Sequence, residues 1–83
     1  MDMATQREIS GMVEAIHDMA TKEFAEFKSA DPFETHVSSG DDHPGRTRLV
    51  GEGIRLGLYD YYRPEHVSVK VVETGYLITI QRA

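Results

Sequence analysis

Four side chains in the middle of this chain are of the types that bind metals or move protons near neutral pH: His36, Asp41, Asp42 and His43. Histidine and carboxylate are ligands for zinc and other divalent ions. Histidine also serves as a general acid or base near neutrality. The metal-ligand set expected here is His36, Asp42 and His43. Their spacing is not that of a His-Glu-x-x-His helix. Asp41-Asp42-His43-Pro44-Gly45 is also the ordinary composition of a solvated turn, because Asp, Pro and Gly each favour turns for local reasons. The turn is the reading taken first, and the site second.

A second group is Arg46, Arg48 and Arg55, with Arg63 further on. Pro44-Gly45 precedes an expected helix start. A helix N-terminus offers free N–H groups and partial positive charge, and arginine adds bidentate donors, so a phosphate or carboxylate would suit Arg46, Arg48 and Arg55. The stretch lacks the Gly-x-x-x-x-Gly-Lys-Ser/Thr phosphate loop. The competing expectation is that these arginines pair with Glu14, Glu23 or Glu26 of an acidic first helix. The third group is Tyr59, Tyr61, Tyr62 and Tyr76. Tyrosines beside arginines stack on ligands or bases and are common at interfaces. They also place rings in a core with hydroxyls in water, the expectation for Tyr61.

These groups need elements to hold them. Thr5-Gln6-Arg7-Glu8 fits a capping box. Ile9, Met12, Val13, Ile16, Ala20, Phe24 and Phe27 follow at spacings of three and four. They predict a long amphipathic helix over 5–28, roughly 35 Å in length. His17 lies at the border of its apolar stripe and reads as a boundary residue. Residues 29–45 are rich in breakers and read as a loop-rich, mobile connection. Within them Asp31-Pro32-Phe33-Glu34 could open a helix, or Thr35-His36-Val37-Ser38 could form a short strand. Over 46–62, Val50, Ile54, Leu58 and a tyrosine recur at helical spacing, against three glycines that each cost about 1 kcal/mol in a helix. The reading taken is a shorter helix. Gly53 and Gly57, one turn apart, would let it press onto the first helix or the sheet; a bulged strand is the alternative.

The C-terminal stretch 67–81 is β-branched and aromatic on both sides of Gly75, a hairpin pattern. A Thr74-Gly75 turn would set Val71 opposite Ile78 and Val69 opposite Ile80, giving one apolar face. A three-residue loop, Glu73-Thr74-Gly75, would mix the faces. The clean-faced register is preferred because burial specifies register. The other face then carries Ser68, Lys70, Thr79 and Gln81, with Val72 and Leu77 near the tip. The expected fold is one α+β domain, 1–83: two helices on one face of a small antiparallel sheet that ends in the C-terminal hairpin.

Composition bounds the function. Eighty-three residues without cysteine exclude disulfides and thiolate chemistry. A chain this short buries only about 60–65% of its unfolded surface, which makes a homo-oligomer a common remedy. The net charge is −5, with −7 over residues 1–43 and +2 over 44–83. The acidic total disfavours general nucleic-acid or anionic-membrane binding. No apolar run approaches a membrane span. The first residues lack the basic-then-apolar pattern of an export signal, and the chain is expected in the cytoplasm. The expected function is a non-enzymatic interaction or structural module without a cofactor. Its partner would be itself or another protein, bound at a sheet edge or at the open sheet face through Val72, Leu77, Tyr76 and Tyr62. The alternatives are a winged-helix-like nucleic-acid binder using the second helix and hairpin, and a ligand, phosphate or metal site between His36 and Arg48.

Overall fold

The computed structural model describes residues 3–27, 30–39 and 43–82. The elements in order are α1 (Met3–Glu26), β1 (Phe33–Ser38), α2 (Pro44–Leu58), a single 3₁₀ turn (Pro64–His66), β2 (Val67–Val72) and β3 (Gly75–Ile80). The strands form one antiparallel sheet in the order β1-β3-β2, and both helices pack on one face of it. The α+β architecture expected from the sequence is therefore present. Within the loop-rich stretch the strand reading is the one formed, not the helix start: Phe33–Ser38 pairs with the whole of β3, Phe33 opposite Ile80 and Ser38 opposite Gly75. Among the described residues no helix is long and apolar enough to cross a membrane.

The stripe on α1 buries Ile9, Val13, Ile16 and Ala20, with Met12 and Phe24 half covered. Its ends differ from expectation. Thr5 is not a cap but a buried residue inside the helix, and Phe27 lies beyond the last turn, exposed. Tertiary contacts explain the first difference. Arg46 of α2 donates to Glu8 Oε2 at 2.8 Å and to Thr5 Oγ1 at 3.3 Å, so both capping-box side chains face a neighbouring helix.

Residues 44–58 are helical, which excludes the bulged strand. The glycines permit this because two surfaces come too close for side chains. A Cβ on Gly53 would lie 2.6 Å from Ile9 Cδ1, and one on Gly57 would lie 2.7 Å from Val13 Cγ2. On the adjacent side, a Cβ on Gly51 would meet Val71 Cγ2 at 3.0 Å and the Tyr76 ring at 3.2 Å. Thus α2 is wedged between α1 and the sheet, and Val50, Ile54 and Leu58 fill the wedge at 0–1% exposure. Each such side chain contributes about 1.5–3 kcal/mol by leaving water.

The hairpin has the expected faces but a different register. Val71 lies opposite Tyr76, Val69 opposite Ile78 and Val67 opposite Ile80, so the two turn residues are Glu73 and Thr74. A slip of two residues preserves which side each residue faces, so the apolar face is retained. Gly75 is needed elsewhere. Its φ is +152°, and a Cβ there would overlap the Val37 carbonyl oxygen and lie 2.7 Å from Ser39 N. The glycine admits β1 beside β3 rather than making the turn. As the central strand, β3 supplies Tyr76, Ile78 and Ile80 to the core.

Candidate functional site

The structure disperses the residue groups picked out by type. His36 projects from β1 on the face away from the helices, and its Nε2 lies 2.8 Å from the Thr74 hydroxyl in the hairpin turn. His43 precedes α2 as its cap residue, and its carbonyl accepts from the Thr47 N–H and hydroxyl, both at 3.0 Å. Asp42, with Asp41, lies outside the described residues. Among the described residues no three His, Cys, Asp or Glu side chains come together as a metal site.

The arginines do not converge on one ligand. Arg46 faces α1, where its partner is Glu8 rather than Glu14, Glu23 or Glu26. Arg55 is nine residues on, half a turn around the helix axis. It pairs with Glu52 one turn back and donates to the Tyr59 hydroxyl. The hydrogen bond from Arg55 holds the Glu52 carboxyl below its usual range, and the same bond raises the guanidinium further. Arg48 is exposed on the Arg55 flank, two turns away. The outward side of α2 carries Leu49, Glu52 and Leu56. That is not the basic surface a recognition helix presents to DNA.

Two features are assembled by the fold. The first is the outer edge of β2. Gln81 N, just past β3, donates to His66 O, just before β2, at 2.7 Å, extending the β2–β3 ladder by one pair. Antiparallel pairs alternate between bonded and non-bonded. With this register Ser68, Lys70 and Val72 bond to β3, and the backbone groups of Val67, Val69 and Val71 point outward. The Val67 N–H returns to Pro64 O. The N–H and C=O groups of Val69 and Val71 have no partner among the described residues, where β2 is an edge strand. Above this edge stands the flank of α2. Gly51 touches Val71, and Arg48 and Arg55 lie three and four residues from Gly51, on the side away from α1.

The outer sheet face adjoins that edge. Its middle row is His36, Leu77 and Lys70, and the row at the tip ends in Val72. Leu77 and Val72, expected as interface residues, are 37% and 36% exposed there. Tyr76, expected with them, is instead core at 2% exposure: it shares the helix-facing side of β3 with Ile78 and Ile80, and its ring lies under Gly51 of α2.

The second feature is an aromatic corner where the end of α1 meets the chain between α2 and β2. His17 stacks on Tyr61, ring centroids 4.0 Å apart and 14° between planes, and its Nδ1 lies 2.8 Å from the Tyr62 hydroxyl. Tyr61, expected in the core, is half exposed, and the half-buried residue is Tyr62. Burial raises the Tyr62 phenol above its ordinary value; a hydrogen bond from Thr21 opposes this, and Tyr61 adds a further upward push. Arg82 lies over Phe24, 4.5 Å from its centroid, and donates to the carbonyls of Phe24, Phe27 and Asp31. A hollow of about 310 Å³ opens here, lined by Phe24, Tyr61, Tyr62, Arg63, His66 and Gln81. Sequence spacing gave a partial signal, since His17 and Phe24 are two helical turns apart on one side of α1. Nothing local brings Arg63, His66 and Arg82 to them.

Compared with protein-family models, with curated proteins and with solved structures, the chain has no significant match.

Proposed function

We propose that this chain is a non-enzymatic protein-interaction module that accepts a partner's extended strand along the outer edge of β2. The observation that carries this reading is the pair of outward-facing peptide groups at Val69 and Val71 in a strand with no proline and no bulge. Edge strands of this kind are templates for strand addition unless they are blunted. Here the one charged residue is Lys70, on the opposite face from the helices. An added strand would lie beneath the α2 flank, so Arg48 and Arg55 favour an acidic side chain on its helix-facing side. A single strand fits better than a second copy paired through its own β2. Strands pack about 4.8 Å apart, whereas helices need about 8–10 Å, and two α2 helices over adjoining strands would collide.

Selection of a random dodecamer library on the protein tests this. Bound peptides should alternate β-branched residues with Asp or Glu at period two. They should protect the Val69 and Val71 amides from exchange, and Arg48→Glu should weaken them about tenfold. Perturbation confined to other surfaces, or Val69 and Val71 amides already protected in the free monomer, refutes the reading. A dimer at sedimentation equilibrium with those amides protected transfers the edge to a second copy.

A further inference from the structure

Independently of the strand edge, we infer that the aromatic corner is a binding site for a small planar aromatic anion. The hollow of about 310 Å³ falls at the lower end of the range for small-molecule sites, about 300–1,000 Å³, which suits one or two fused rings. Phe24, Tyr61 and Tyr62 contribute aromatic rings to its walls. These walls are held before any ligand arrives. His17 stacks on Tyr61, whose half-exposed ring lines the hollow. The Tyr62 hydroxyl is tied to His17, and Phe24 stands edge-on to Phe33, centroids 6.4 Å apart at 81°. Rigid aromatic walls stack a planar guest with little loss of side-chain freedom.

Charge selects the kind of guest. Arg63 and His66 are on the lining, and Gln81 adds an amide. Arg63 is 79% exposed, and its 3.9 Å approach to Glu65 is too long for a hydrogen bond, so its fork is available for a carboxylate. A neighbouring hollow of about 160 Å³ on the Gly57 side of Tyr61 is lined by Glu14 and Asp60. An aromatic anion is therefore directed to the basic hollow and an aromatic cation to the acidic one.

The test is an NMR titration of the full chain with naphthalene-2-carboxylate, with 2-naphthylmethanol and 2-naphthylmethylammonium in parallel. The carboxylate should bind saturably with Kd near or below about 1 mM, with ring-current shifts on Phe24, Tyr61, Tyr62 and His66. The alcohol should bind about fivefold more weakly. Arg63→Gln should reduce the carboxylate to the level of the alcohol while keeping the ring-current pattern. Tyr61→Ala should remove both, with the amide spectrum of the sheet confirming the fold. The assignment is overturned by non-saturable shifts, by shifts centred elsewhere, or by equal affinity for all three probes. Arg63→Gln leaving the carboxylate's affinity unchanged also overturns it.

Discussion

Replacing Gly57 with alanine tests the close seam between the two helices. In an open helix the change stabilises by about 1 kcal/mol through propensity. At Gly57 the new Cβ would lie 2.7 Å from Val13 Cγ2, where ordinary contact begins at 3.4 Å, so the seam must open by about 0.7 Å. Val13 cannot readily step aside, because it is 6% exposed and β-branched, with one strongly preferred rotamer in a helix. Overpacking of this kind costs about 1–3 kcal/mol. Gly11 is the internal control, since a Cβ there meets nothing within 4 Å. Gly11→Ala should stabilise by about 0.5–1 kcal/mol, and Gly57→Ala should fall below it by about 1–3 kcal/mol. Gly53→Ala should lie between them, because its one severe contact is with the mobile Cδ1 end of Ile9, while Cγ1 and Cγ2 of the same side chain lie at 3.3 Å. Urea unfolding with matched m-values provides the assay; at a slope of about 1 kcal/mol per molar, the midpoints separate by about 1 M or more. Gly57→Ala stabilising as much as Gly11→Ala would refute the close approach of α2 to α1.

Three further outcomes follow from the geometry. Gly75→Ala should cost about 3 kcal/mol or more, since it adds both a positive-φ strain and a collision with the Val37 carbonyl; loss of amide protection in β1 ahead of the β2–β3 pair is the signature. Arg82→Gln should lower stability by about 1–2 kcal/mol by releasing the carbonyls of Phe24, Phe27 and Asp31, with faster exchange in the last turn of α1. Tyr62 has a raised pKa in the folded state, so its contribution is full below the ordinary phenol value of 10.0 and is lost as pH rises through the folded value. Thermal unfolding should therefore show wild type losing stability relative to Tyr62→Phe as pH rises from 10.0 through the folded value, and a constant difference across the alkaline range would refute the burial of this phenol.

The long helix was legible because Ile9, Val13, Ile16 and Ala20 repeat with its own period, and the hairpin faces because alternation survives any slip of two residues. The glycines of α2 were readable as a close approach, but only the fold assigned Gly53 and Gly57 to α1 and Gly51 to the sheet. Local chemistry misplaced Thr5, Glu8 and the turn, because Arg46 and β1, distant in sequence, compete for Glu8 and Gly75. The candidate sites were the least legible part. Residue types that cluster along the chain, such as His36 with His43 or Arg46 with Arg55, are separated by strand and helix geometry. The aromatic corner gathers His17, Phe24, Tyr61, Arg63, His66 and Arg82 from segments with no common period. The sequence by itself determined which face of α1 and of the hairpin strands turns inward, because that face follows a local repeat; how far Phe27, Tyr61 and Tyr76 are covered was set by their neighbours in the fold. Tertiary structure decided which polar and aromatic groups meet, because that depends on β1 joining the far edge of β3 and leaving β2 at the margin of the sheet.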